Sequence, residues 1–332
     1  MSTQRSTAGV ATAPMRSVGS RLRPWLIDYA MVIVLVAVVA AAQLTYSRFL
    51  TIDNLRNLLT QNAQVGIVAA VMTLVLIAGG FDLSVSGTFS LGSVLFAGLC
   101  ATSGLPVGVA LVLVVLAGLG LGLVNGLVIT KLGVNAFVAT LGTAAAYEAL
   151  ASMYSGSKPI SALDVPGFDY FGTAEIAGLP VSVWFLIALY AVASLVLTTT
   201  TFGRRLVATG GNGTAARLSG VRVDAIRIGA FMICGAGAAV AGSLLASSLS
   251  VGQTGQMPLI ALDAIAAVVI GGTSLFGGEG AMWKTAVGVL ILATMNNLFS
   301  SLAIETPVQN VVKGAVIVAA VAFDGYARRT RA

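Results

Sequence analysis

The chain has 332 residues, of which 57% are apolar and only 9% charged, with a formal net charge of +6 and no histidine. An ordinary soluble domain carries roughly 25% charged residues, so the composition excludes a soluble globule of this length and points to lipid as the solvent. The basic residues sit between apolar runs and not along one stripe, which excludes a nucleic-acid-binding surface as the reason for the positive charge.

Residues 1–24 are polar, hold Arg5, Arg16, Arg21 and Arg23, and are expected to form a cytoplasmic tail. The apolar run that follows, Ile27 to Ala42, is longer than the roughly 7–15 residues of a signal-peptide core, and reads as a first transmembrane helix. Crossing the hydrocarbon core takes roughly 20 apolar residues. Ten segments qualify in chain order, near 27–46, 61–79, 84–102, 106–129, 134–153, 179–200, 225–248, 260–276, 282–302 and 307–324. They predict an all-α polytopic membrane protein with about ten transmembrane helices. Residues 25–325 form a single transmembrane domain, and 326–332 a basic cytoplasmic tail. The eighth segment is the shortest and reads equally as a half-helix or a re-entrant piece.

An even number of crossings places both termini on one side, and the side is chosen by Lys and Arg, which concentrate in cytoplasmic loops. With cytoplasmic termini, 14 of the 18 basic residues fall inside, including Lys131, Lys284 and the five arginines between 204 and 227. The outer loops keep Arg48, Arg56 and Lys158, with five acids: Asp53, Asp164, Asp169, Glu175 and Glu305. Two loops are long. The outer one, residues 154–178, would face an external partner. The inner one, residues 202–227, carries most of the charge between spans.

Within that inner loop, Gly203 is placed to stop the preceding helix. Gly210, Gly211, Asn212 and Gly213 supply positions that tolerate positive φ. Thr214 to Ser219, with Ala215, Ala216 and Leu218, predicts a short helix ended by Gly220. Flanked by Arg204, Arg205, Arg217 and Arg222, it reads either as an element that docks on a cytoplasmic partner or as a solvated loop that only sets topology.

Charges inside a bilayer cost on the order of 2.5–3.5 kcal/mol at the helix centre on insertion scales, so each needs a reason. Asp82, after Gly79-Gly80, is suited to cap the third helix or to act in substrate contact or gating. Asp263 is an N-terminal cap or a polar contact facing the pore. Glu148 and Lys313 are candidates to pair. Asn62, Gln64, Asn125, Thr140, Thr143, Asn296 and Asn297 offer hydrogen bonds either to a hydroxyl-rich solute or between helices. Cys100 and Cys234 lie in apolar runs and are expected to be packed side chains, neither a disulfide nor a metal site. The lack of histidine removes the commonest ligand and proton shuttle. Ile77 to Leu83 and Val269 to Leu275 each end an apolar run with a glycine pair, a hint of duplicated halves.

Four ordered blocks carry a resemblance. The inner-loop run holds Gly203-Arg204-Arg205, Ala208-Thr209-Gly210-Gly211-Asn212, Ala215-Ala216 and Leu218-Ser219-Gly220. It resembles the coupling loop of ribose-type sugar permeases, the membrane subunits of bacterial ABC importers. Asn57 to Ser86, Asn125 to Thr143 and Leu262 to Gly280 resemble three further blocks of that family, so the likeness covers about residues 54–324. Phe81, Ser86-Gly87, Asn135 and Glu279 depart from its usual pattern.

The resemblance implies a type II ABC importer-like permease fold in the bacterial inner membrane, and translocation of a monosaccharide. It also implies contact of the 203–220 segment with a cytoplasmic ABC ATPase, an external solute-binding protein, and a second permease copy or paralogue beside membrane lipid. Asp82, Asn125, Thr140, Asp263 and Asn62 are the candidate pore or gating residues. No G-x-x-x-x-G-K-[ST] motif occurs, so ATP and Mg would be used by the partner ATPase, and no cofactor, metal or catalytic residue is assigned to this chain. Alternatives are a permease for a branched-chain amino acid or autoinducer-like solute, and an ion-coupled transporter, which would need intramembrane acids or histidines. A membrane-embedded enzyme would need a catalytic constellation; none stands at useful spacing.

Overall fold

The computed structural model describes residues 29–329; the expected N-terminal tail and residues 330–332 lie outside this range. A helix lies in each of the ten apolar segments: α1 (Ala30–Thr45), α2 (Ile52–Ile77), α3 (Val85–Ala101), α4 (Val107–Lys131), α5 (Ala136–Ser155), α7 (Val181–Thr199), α10 (Val223–Leu249), α11 (Ile260–Ile270), α12 (Met282–Ser301) and α13 (Thr306–Arg329). A single turn, α6 (Tyr170–Thr173), lies in the outer loop, and α8 (Thr201–Gly211) and α9 (Gly213–Leu218) occupy the inner one. By length and composition α2, α4, α5, α7 and α10 are able to cross a membrane, while α1, α3 and α11 are apolar but shorter.

Three boundaries differ from expectation for identifiable reasons. Helix α2 begins well before the predicted residue 61 because Thr51 caps it, its side chain accepting from Asn54 N at 3.4 Å. The polar first turns, with Asp53, Arg56 and Asn57, look like loop to a hydropathy reading. Helix α11 stops at Ile270, because Gly272 takes φ +91° and turns the chain away. Its 11 residues span about 16 Å at 1.5 Å each, roughly half the hydrocarbon thickness, so the eighth segment holds a half-length helix. Helix α13 runs on to Arg329, into the segment read as a tail.

The core is built on α2 and α10. From Asn62 to Ile77 every residue of α2 is buried. Helix α10 packs most extensively on α4 and α3. Lipid tails give no hydrophobic drive between helices, so close backbone approach through small residues does the packing. Gly118, Gly122 and Gly126 form one small-residue face of α4. A Cβ on Gly118 would stand 2.5 Å from the Gly235 carbonyl oxygen, and one on Gly126 2.8 Å from Ile228 Cα. The outward faces of α4, α5 and α7 carry exposed apolar side chains such as Val112, Leu141 and Leu195, as a hydrocarbon surround requires.

The outer segment is folded. Strand β1 (Ile160–Ser161), the β2–β3 hairpin (Glu175–Ile176 and Leu179–Pro180) and β4 (Val251–Gly252) are two-residue strands, β1 pairing antiparallel with β4. Phe168 is buried and stacks on Phe96 at 4.8 Å. Ser247 Oγ donates to the Phe168 carbonyl at 2.6 Å and accepts from Gly172 N at 2.9 Å, which pins this segment to the end of α10.

Candidate functional site

The inner segment is two helices, not a glycine loop. Thr200 leaves α7 in extended conformation and its hydroxyl accepts from Gly203 N at 3.2 Å, so the helix restarts immediately as α8. Gly203 therefore does not stop the preceding span. It is buried within α8, and a Cβ there would lie 2.5 Å from the Val196 carbonyl oxygen and overlap that of Leu197. Gly210 and Gly211 likewise close α8 in helical conformation, without the positive φ expected of them. The break comes at Asn212 (φ −154°, ψ 93°), whose side chain accepts from Ala215 N at 2.9 Å and caps α9, a role asparagine fills well. Gly220, at φ +81°, ends α9 as expected.

Burial divides this element cleanly. Gly203, Leu206 and Thr209, three residues apart, form the face turned to the helix bundle, and Ala216 continues it in α9. The opposite face presents Arg204, Arg205, Arg217 and Ser219 to solvent. Leu218 stands 86% exposed at the end of α9. Asp224 of α10 anchors the segment, accepting from Arg217 Nη2 at 3.0 Å and from Lys131 Nζ at 3.1 Å. The outward face of α8–α9 is thus basic and carries an exposed leucine.

Of the candidate pore or gating residues, three are brought near each other and two stand apart. Asp82 is fully buried, and its Oδ1 accepts from Ser84 N at 3.0 Å and from Ser84 Oγ at 2.5 Å. It thus fixes the turn before α3 from two residues upstream, while Ser84 holds the cap position itself. Asn125 Nδ2 donates to Ser84 Oγ at 2.6 Å, and Tyr147 Oη donates to the Leu121 carbonyl at 3.0 Å beside it. Thr140 Oγ1 bonds back to the Ala136 carbonyl at 2.8 Å, close under the Phe81 carbonyl. The turn before α3 is thereby tied to α4 and α5 through a buried polar chain.

Asn62 accepts from Asn296 Nδ2 at 3.1 Å and donates to the Leu58 carbonyl. Eight residues earlier on α2, Asn54 forms a reciprocal pair with Asn297 at 3.0 Å. These two rungs join α2 to α12. Asn62 also supplies the one side-chain amide in an apolar cavity of about 220 Å³ between α2, α7 and α12. Asp263 lies in the first turn of α11 without capping it, and pairs with Lys313 at 3.7 Å. Lys313 thus takes Asp263 as its partner in place of Glu148. That pairing, and the Thr73–Thr285 hydroxyl contact at 2.8 Å, join residues over 40 positions apart and have no signal in local sequence. Cys100 and Cys234 are both buried.

The family described as "Branched-chain amino acid transport system / permease component" matches residues 54–321. The ribose import permease protein RbsC of Haemophilus influenzae is 35% identical over 91% of this chain and 94% of its own length. The Bacillus subtilis RbsC is 39% identical over 83% of this chain and 86% of its own. The L-arabinose transport system permease protein AraH of Escherichia coli is 38% identical over 92% of each. No solved structure matches the chain.

Proposed function

Because this chain belongs to the branched-chain amino acid transport system permease component family, we propose that it is the membrane-spanning permease of an ATP-driven importer for a monosaccharide. The observation that carries the reading is the near-full-length similarity to permeases named for ribose and L-arabinose. The similarity extends over 83–92% of the chain. On this reading the ten apolar segments cross the membrane, the eighth as the half-length α11 completed by non-helical chain, with both termini in the cytoplasm and residues 25–325 as one permease domain. The arginine asymmetry supports that orientation.

The α8–α9 element then faces the cytosol and receives a separate ABC ATPase, which supplies the ATP and Mg chemistry. Gly203, Arg204, Arg205, Gly210, Gly211, Asn212, Ala215, Ala216, Ser219 and Gly220 form it. An external binding protein delivers the solute to the opposite face, where residues 160–180 are folded against α10, and a second permease copy or paralogue completes the path. Asp82, Asn125 and Thr140 hold the inner end of α3 against α4 and α5, so they are assigned to positioning the gate. Asn62 and Asp263 join helices on the other side of the core. Alternating access requires an element with two arrangements whose equilibrium is biased from both sides of the membrane.

Reconstitution with the candidate ATPase and binding protein, measuring ATP-dependent uptake of labelled ribose, arabinose and leucine, tests the proposal. Uptake of a sugar that requires both partners supports it. Leucine uptake alone transfers the chain to the amino-acid branch of its family. Uptake driven by an ion gradient without the ATPase overturns it.

A further inference from the structure

The inner faces of three elements meet backbone to backbone. The C-terminal end of α8 lies against the end of α2 and against the turn between α11 and α12. Gly278 N donates to the Ile77 carbonyl at 2.9 Å. A Cβ on Gly210 would overlap that same carbonyl oxygen and stand 2.5 Å from Gly278 N. A Cβ on Gly277 would be 2.8 Å from Gly79 Cα, and one on Gly278 2.6 Å from Gly211 Cα. Real side chains do not tolerate such separations, so the approach requires Gly210, Gly277 and Gly278, whereas a Cβ on Gly79 would meet Gly210 Cα only at 3.7 Å. Gly79, Gly277 and Gly278 also take φ between +77° and +84°, which glycine adopts freely and other residues rarely.

This contact joins the putting-through points of the fold. From Gly79 the chain runs through Gly80 and Phe81 to Asp82 and the buried Ser84–Asn125 chain. From Gly277 and Gly278 it runs back to α11, which carries Asp263 and its ion pair to α13. A hydrogen-bonded backbone contact has no side-chain rotamers to absorb a displacement, so a push on α8 reaches both helices directly. We propose that this three-glycine contact is the joint that delivers movement of α8–α9 to the membrane interior, and that Gly210 is its positioning residue. The proposal rests on the reading of α8–α9 as the ATPase-docking element.

A glycine outside the docking element supplies the control. A Cβ on Gly120 of α4 meets nothing within 4 Å. Gly210→Ala and Gly120→Ala are therefore compared in the complex reconstituted with ATPase and binding protein. Coupling between sites is typically about 5–150-fold. Gly210→Ala is expected to lower ATP-driven uptake by roughly tenfold or more while the ATPase still co-purifies at the wild-type ratio. Gly120→Ala should retain uptake. Equal uptake by Gly210→Ala and Gly120→Ala overturns the joint.

Hydrogen exchange on the wild-type complex covers the case in which Gly210→Ala does not insert. Addition of a non-hydrolysable ATP analogue should change protection at residues 77–80, 205–211 and 274–280 together. A change confined to 212–220 overturns the joint. Absence of ATP-driven uptake by the wild type overturns instead the underlying importer reading, and the joint falls with it.

Discussion

Lys313 Nζ on α13 lies 3.7 Å from Asp263 Oδ2 on α11, and each side chain is only 16% exposed. The pair gives a charged residue on each of two helices a reason to be there, since removing one partner strands the other in a poorly solvated place. Asp263 in the first turn also suits the positive end of the α11 dipole. Thermal unfolding in detergent of Lys313→Met, Asp263→Asn and the double variant should show a coupling of roughly 0.5–3 kcal/mol, the double variant being more stable than the sum of the singles. Additive losses would show that the pair contributes nothing.

Leu218 tests docking without disturbing the fold. It is 86% exposed, so Leu218→Asp should change the unfolding free energy by no more than about 0.5 kcal/mol, as for ordinary surface changes, and leave the melting temperature close to that of the wild type. Recovery of the ATPase in a pull-down should fall sharply. Ala216 is 6% exposed, so Ala216→Asp would unseat α9 itself and is the poorer probe. Full ATPase recovery with Leu218→Asp would remove this leucine from the interface.

Two glycines of α4 should respond oppositely to the same substitution. A Cβ on Gly122 would overlap the Phe231 carbonyl and lie 2.7 Å from Met232 Cα, whereas one on Gly120 meets nothing within 4 Å. Gly122→Ala should destabilise by about 1–3 kcal/mol through overpacking. Gly120→Ala should be neutral or stabilising by up to about 1 kcal/mol, because alanine favours the helix. Similar melting temperatures for the two variants would contradict the α4–α10 packing.

Asn125 spans from α4 to the turn before α3 at 2.6 Å. Asn125→Leu removes the donor to Ser84 and leaves buried polar atoms short of a partner, which costs about 1–3 kcal/mol. Ser84→Ala removes the same contact together with the Ser84 Oγ–Asp82 hydrogen bond, so in a double-mutant cycle the double variant should lose less than the sum of the singles. Additive losses would mean that Asn125 acts independently of Ser84.

Orientation is open to direct chemical reading. Arg205 is exposed on α8, and the native cysteines are buried. With both replaced by alanine, Arg205→Cys should react with a membrane-impermeant maleimide in inside-out vesicles and not in intact cells. Labelling from outside intact cells would invert the arrangement and remove the cytosolic ATPase from the scheme.

The apolar helices were legible because a bilayer selects on a local property: enough consecutive apolar residues to cover the hydrocarbon thickness. The short α9 and its end at Gly220 were legible for a similar reason, since a helix stop acts over a few residues, but Asn212, expected at positive φ, instead caps α9 in extended conformation. The early start of α2 was hidden by its polar first turns, which Thr51 and the Asn54–Asn297 pair turn into helix.

Residue order alone determined the ten apolar helices, the asymmetry of basic charge and the place of the charged inner segment with its short helix α9. Tertiary structure decided that Gly203 and Gly210 serve close approach where chain stops and turns were expected, and that Lys313 meets Asp263 and not Glu148. The division follows from range: burial of an apolar run depends on neighbours along the chain. Backbone overlap and ion pairing depend on which atoms of distant helices come within a few ångströms, and no spacing along the chain encodes that.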